Sequence, residues 1–438
     1  TGVVSYTSPA SDSSPPEPVY YAVTDSSGAV GLDPPLYYYG SKKLNDSARV
    51  RFSTGTIVGT TRRITTIGGT PYRLVPLNPP SELVAGNETP YIIIQRRDEF
   101  DNPTYQGDTW AQLVTNSLAR NQQPQRNWDF RFAPGADNTL GPDYVIWFYN
   151  SIKSTSVAII YYDEMSSIPE DEDGRPSSGK WTIQAQAFGN DPTRWASFDL
   201  LVKPDEITKA AFDNPQRRLT AGSPKEYTAI GPGPNSLEFE VELQDRWDNP
   251  VITTYPVTVL LSSIREPSRF NDSYSFSLSS RVVGGPAYGT PPVFETPITS
   301  FTIDAGSYYK QFYYLDTNAS ENYGVQPTTY PIIVATPLGQ KGDGTPWAVA
   351  QQSVIIMPDR IRRIGIYGTY SIPPDPTYIQ TLIAGVTSQP MMLATEDFYG
   401  NIAPILEADL SADNPRRIRI VSTSTGTVQF AIGSTSTW

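Results

Sequence analysis

Two short acidic motifs are the first places where this chain offers chemistry. Asp98-Glu99-Phe100-Asp101-Asn102 and Asp245-Arg246-Trp247-Asp248-Asn249 each set two carboxylates three residues apart, beside an asparagine. Hard divalent cations take several oxygen ligands, and Asp, Asn and backbone carbonyls of one turn can supply them. Asp98, Asp101, Asp245 and Asp248 are therefore candidate calcium ligands. The competing reading is that these side chains cap a turn, accepting hydrogen bonds from amides that a sheet leaves unpaired. No EF-hand spacing is present, and a third copy, Asp397-Phe398-Tyr399-Gly400-Asn401, has Gly400 where the others have Asp, which weakens a metal role common to all three. The densest acidic run, Glu170-Asp171-Glu172-Asp173-Gly174, adds Asp171 and Asp173 as calcium candidates, against the plainer reading of a solvated hairpin tip. Calcium is the only cofactor these patterns suggest.

Other chemistries are narrowed by what is missing. The 438 residues contain no histidine and no cysteine. There is then no Ser-His-Asp triad, no imidazole acid–base pair, no thiol nucleophile, no disulfide and no thiolate-held metal. Carboxylates are plentiful, but no spacing singles out a glycosidase-like pair. Gly68-Gly69 and Gly284-Gly285 read as turns and not as phosphate loops. With 45 acidic against 33 basic residues the formal charge is −12, which argues against nucleic acid as a partner. No apolar stretch is long enough to span a membrane. The expectation is a non-enzyme.

Two surface chemistries stay open. Asn45-Asp46-Ser47, Asn87-Glu88-Thr89, Asn271-Asp272-Ser273 and Asn318-Ala319-Ser320 fit the N-glycosylation pattern, making Asn45, Asn87, Asn271 and Asn318 candidate acceptors in a chain rich in Asn, Ser and Thr. Tyrosines, 27 in all, cluster as Tyr37-Tyr38-Tyr39, Tyr161-Tyr162, Tyr308-Tyr309 and Tyr313-Tyr314. Neighbouring residues in a strand point to opposite faces, so half belong to a core and half to a surface, where they can stack on sugars.

The elements that carry these residues read as strands. Leu237, Phe239, Val241 and Leu243 alternate with Glu238, Glu240 and Glu242, which puts the four apolar residues on one buried face. Similar runs are Tyr91 to Gln95, Val157 to Tyr162, Trp181 to Phe188, Val257 to Leu261, Gln311 to Leu315, Tyr330 to Ala335 and Arg417 to Val421, separated by clusters of Pro, Gly, Asn, Asp and Ser. Trp110 to Ala119 is the one stretch with a trace of helical periodicity. The fold class expected is all-β, sandwiches rather than a closed barrel.

The strands repeat. Leu-x-Ala-Gly occurs at Leu83 to Gly86, Leu219 to Gly222 and Leu382 to Gly385, and each is followed by a strand ending in Asp-x-aromatic-(Asp/Gly)-Asn. The aromatic is expected to plug the end of the core. A second landmark, Pro-Asp-x-Ile, at Pro204 to Ile207 and Pro358 to Ile361, follows an apolar strand each time and marks domain junctions. Two motifs recurring in fixed order argue for tandem modules.

On these residues the chain resembles the bacterial immunoglobulin-like tandem repeats of invasin/intimin-like and S-layer-type surface proteins. The resemblance covers most of residues 69 to 438. Departures from it are the inserts Asn121 to Pro142 and Arg265 to Pro297. It implies tandem immunoglobulin-like β-sandwich domains. The expected division is 1–68, a partial domain; 69–203, a sandwich; 204–357, a sandwich with insertions; and 358–438, a partial sandwich. The end pieces fit either a window on a longer array or a last sandwich completed by strands from another chain. The expected function is a structural component of a cell-surface layer, extracellular and self-assembling through lateral contacts in a calcium-sensitive way. Copies of itself are the expected partners, and cell-wall or surface glycan a possible further one. The alternatives are an adhesin stalk or a carbohydrate-binding accessory region of a secreted protein.

Overall fold

The computed structural model describes residues 4–5, 19–20, 51–54, 57–60, 67–117, 128–132, 144–169, 177–228, 231–265, 274–285, 290–320, 330–367, 384, 386, 388, 391–404, 421, 422 and 424. Ahead of the first module lie β1 (Val4–Ser5) paired with β2 (Val19–Tyr20), and β3 (Arg51–Thr54) paired with β4 (Ile57–Thr60).

The first module is a two-sheet sandwich. One sheet has the order β5 (Arg73–Leu77), β7 (Ile92–Arg97), β11 (Ser156–Asp163), β9 (Trp128–Phe132). The other has the order β10 (Val145–Phe148), β8 (Thr109–Thr115), β12 (Trp181–Gln186), β13 (Ala196–Lys203), β6 (Glu82–Val84). All pairings are antiparallel except β6 with β13, which run parallel. Chain order splits the strands between the sheets in the immunoglobulin manner: the first strand pairs within one sheet, then crosses to pair with the last strand of the other.

The second module repeats this plan. One sheet is β14 (Lys209–Phe212), β18 (Phe239–Gln244), β24 (Tyr309–Asp316), β20 (Tyr274–Ser277). Facing it is β23 (Ser300–Ile303), β19 (Val257–Ile264), β25 (Ile332–Pro337), β26 (Ala350–Ser353). β15 (Arg218–Thr220) again runs parallel to the final strand, β27 (Ile355–Met357). The described parts of its insert at Arg265 to Pro297 form strands, and so does a Gly-Pro run earlier in the module. Gly231-Pro232-Gly233-Pro234 opens β17 (Gly231–Ser236), which pairs with β16 (Lys225–Thr228) at the sheet edge, where proline removes no needed donor. β21 (Val282–Gly285) and β22 (Thr290–Phe294) form a further hairpin. Beyond the second module, β28 (Arg363–Tyr367) pairs with β29 (Met392–Glu396).

Period-two alternation accounts for the cores. Phe239, Val241 and Leu243 are fully buried and Leu237 packs against them. Two separate apolar clusters result, one from Leu74 to Val202 and one from Ile207 to Ile356. The trace of helix at Trp110 is overturned: Thr109–Thr115 is strand β8, with Thr109, Ala111 and Leu113 buried and Trp110 and Gln112 outward. Apolar residues on both faces blur the alternation there. Arg417 to Ile420 lies outside the described residues. Among the described residues no helix is long and apolar enough to cross a membrane.

Candidate functional site at the module junctions

The acidic turns organise the contacts between modules. In each, the first aspartate closes the loop. Asp98 Oδ1 accepts from the backbone N–H of Phe100 (3.0 Å) and Asn102 (2.8 Å), and Oδ2 from the Asn102 side-chain amide (2.9 Å) and Gly69 N–H (2.8 Å). Asp245 does the same with Trp247, Asn249 and the Asp205 N–H (2.9 Å). Asp397 does it with Tyr399, Asn401 and the Asp359 N–H (3.1 Å). The Pro-Asp landmark is thus pinned by the turn of its own module. Burial opposes ionisation of Asp98, but the Asn102 side-chain amide and three backbone N–H donors outweigh it and hold the carboxyl below its usual range. Asp397 is more deeply buried, and burial wins there, pushing it up to about 6 despite the same donors.

The second carboxylate of each pair faces elsewhere. Asp101 bridges Arg73 (2.7 Å) and Arg97 (2.9 Å), whose hydrogen bonds lower its pKa, and Asp248 pairs with Lys209. Asp98 and Asp101 therefore turn to different partners, as do Asp245 and Asp248. Asp171 and Asp173 lie outside the described residues, as do Asn45 and Asn271. Asn87 is exposed, while Thr89 of its sequon is buried with its hydroxyl accepting from Tyr161 N–H (2.9 Å). Asn318 is half-buried and sits in a module junction. Two of the tyrosine pairs divide by face, with Tyr161 and Tyr314 buried and Tyr162 and Tyr313 half-buried; the Tyr308-Tyr309 pair does not, Tyr308 being half-buried and Tyr309 exposed, and Tyr37 to Tyr39 lie outside the described residues.

The closing asparagine reaches across to the preceding module. Asn249 Nδ2 donates to Glu164 O (2.7 Å) and its Oδ1 accepts from Ser166 N–H (2.9 Å). Asn401 Nδ2 donates to Thr317 O (2.9 Å) and its Oδ1 accepts from Ala319 N–H (2.9 Å). Both clasps read the same offsets past a buried aspartate, Asp163 or Asp316, at the end of β11 or β24. That aspartate shapes the receiving bend. Asp163 accepts from Tyr161 Oη (2.5 Å) and Met165 N–H (2.8 Å), and Asp316 from Tyr314 Oη (2.7 Å) and Asn318 N–H (2.9 Å). Burial pushes Asp163 up to about 7, against the Tyr161 hydrogen bond.

The expectation that the aromatic plugs the end of its core is overturned in the first turn, where Phe100 is 46% exposed. In the other two turns the aromatic follows the asparagine: Trp247 packs against the core of the first module and Tyr399 joins that of the second, each one module back. Space for it comes from the Leu-x-Ala-Gly glycines. A Cβ on Gly86 would fall on the Trp247 indole, and one on Gly222 on the Tyr399 phenol. Both glycines also have positive φ, 79° and 72°. The sequence displayed both halves of this contact, but their pairing was missed; the shared Tyr-x-Asp ahead of each receiving bend was the available signal.

A three-carboxylate cluster also escaped the sequence reading. Oxygens of Asp213, Glu240 and Glu242 lie within 4.8 Å of one another, Asp213 just past the end of β14 and the two glutamates on its partner strand β18. Adjacent strands set them side by side; sequence distance hides it.

No protein-family model and no curated protein matches the sequence. Among solved structures, the chain is similar to invasin, a bacterial integrin-binding protein, at 10% identity and TM-score 0.25, covering 73% of this chain and 48% of that one. It is similar to domains 4–9 of the surface layer protein SbsC at 8% identity and TM-score 0.20, covering 81% and 44%. Tandem Ig domains of titin match at 9% identity and TM-score 0.24, covering 66% and 100%. The chain thus spans less than half the length of the invasin and surface-layer chains. At such scores the sheet topology, and not the likeness, carries the assignment of an all-β, immunoglobulin-like tandem fold.

Proposed function

We propose that this chain is a load-bearing segment of an extracellular surface protein, in which immunoglobulin-like modules are locked end to end and present their walls to copies of the chain in a surface array. The observation that carries this reading is the clasp: an aromatic (Trp247 or Tyr399), an asparagine and a glycine, at matching positions, join consecutive modules at both described junctions. An interface between domains that is meant to hinge has no need of a side chain doubly bonded to its neighbour's backbone. A wall of net charge −12 repels its like, so lateral assembly calls for a divalent cation such as calcium to screen or bridge it.

Negative-stain electron microscopy of the purified chain, with calcium and with chelator, tests this. Straight rods that gather into ordered sheets when calcium is added are expected. The double variant Asn249→Ala, Asn401→Ala should give bent, articulated particles. Straight rods that stay apart in calcium would favour an adhesin stalk, which the clasps suit equally well. Wild-type particles as articulated as the double variant would sink both readings.

A further inference from the structure

We infer that the outer face of the five-stranded sheet in the first module is a binding platform for an extended, neutral glycan, with Trp110, Trp147 and Tyr149 as its stacking floor. Strand register places Trp147 of β10 directly opposite Trp110 of β8. The inward neighbours Ile146, Phe148 and Ala111 already fill the core. The three aromatics instead stand outward at 52% (Trp110), 46% (Trp147) and 45% (Tyr149) exposure. Trp147 and Tyr149 stack with ring centroids 6.0 Å apart and planes only 9° from parallel, so the two rings hold a common orientation.

The fold does not require this. In the second module the corresponding strands β19 and β23 turn Thr258, Leu260, Ser262 and Thr302 outward, with no aromatic among them. The equivalent face of β19 exposes the aliphatic Leu260 and Ile264, so it is the aromatic character of the patch, and not apolar exposure as such, that sets the first module apart and marks an interaction site. The chemistry around it selects the ligand. Gln112 follows Trp110 on the same face, and Gln186 stands opposite it on β12 with its amide steadied by Gln184 (2.9 Å). Aromatic faces stack on the C–H faces of pyranose rings, and the neighbouring amides both donate to and accept from sugar hydroxyls. Among the described residues, the charged side chains that share this face, Asp199 and Lys203 on β13 and Glu82 on β6, lie on the strands away from Trp110 and Trp147, Lys203 and Glu82 are paired with each other, and Asp108 stands ahead of β8. A neutral polyhydroxylated chain meets no electrostatic penalty on this face. A second copy of the chain, at −12, does, and so does nucleic acid.

The full chain titrated with cellohexaose and with N-acetylchitohexaose, followed by intrinsic tryptophan fluorescence and calorimetry, tests the platform. Binding of at least one hexasaccharide is expected. Trp110→Ala and Trp147→Ala should each weaken it by roughly tenfold or more. Trp147→Phe should keep most of it, and Tyr255→Ala, exposed on the second module, should change nothing. All four substitutions fall on exposed side chains, so melting temperatures should match wild type. The inference is overturned if neither sugar binds, or if Trp147→Ala binds as wild type does. It is overturned too if the tryptophan variants lose self-association in sedimentation without any effect on sugar. The outcome is independent of whether the clasps make a rigid rod.

Discussion

Asp101, Asp248 and Gly400 hold the fourth place in their turns, and all three have positive φ: 69°, 65° and 92°. That backbone tolerates Gly and, at some cost, Asp or Asn, but not a β-branched side chain. The glycine of the third copy, which in the sequence counted against a shared metal, is accounted for by backbone conformation. Asp248→Gly should therefore leave stability within about 0.5 kcal/mol of wild type, while Asp248→Val should cost about 1–2 kcal/mol in urea denaturation. A second residue-scale effect comes from Asp163. Its carboxyl is raised to about 7 by burial, and Tyr161 Oη, the Met165 N–H and the nearby Glu164 charge face it. An acid whose folded pKa is raised binds more protons folded than unfolded. Stability is then highest near pH 4, falls as pH climbs towards about 7, and levels off above, by an amount on the order of 4 kcal/mol. Asp163→Asn mimics the protonated acid, so the variant's melting temperature should vary less between pH 5 and pH 8 than that of wild type. An unchanged pH profile would show that Asp163 is not the group responsible.

Strands were legible wherever one face alone is apolar. The alternation at Phe239, Val241 and Leu243 translated directly into a buried stripe. It failed at Trp110, where both faces carry apolar side chains. Leu-x-Ala-Gly was legible as a repeat but not as a socket, because the ring that fills it belongs to the next module along the chain. Gly86→Ala and Gly222→Ala test the socket. Each adds a Cβ at positive φ and drives it into an aromatic ring, so each should lower stability by about 2–4 kcal/mol, the sum of backbone strain and overpacking. Calorimetry should show the transitions of the two flanking modules moving apart as their coupling is lost. Gly107, at φ 65° with open space around it, is the matched control: alanine there should cost only the backbone part.

At the scale of the molecule, the tandem plan was readable because two landmarks recur in fixed order. The mode of joining was not, since the hydrogen bonds that Asn249 donates to Glu164 O and accepts from Ser166 N–H span more than eighty residues. The first and second modules each close on a core of their own, and each core takes in one ring, Trp247 or Tyr399, from the segment that follows it. Parallel pairing of β6 with β13, and of β15 with β27, has a mechanical meaning. A pull on the two ends of either module drags these partner strands past each other lengthwise. The bonds of the pair then share the load at once and are not peeled open in turn, so this geometry resists stretching much as a lap joint resists tension.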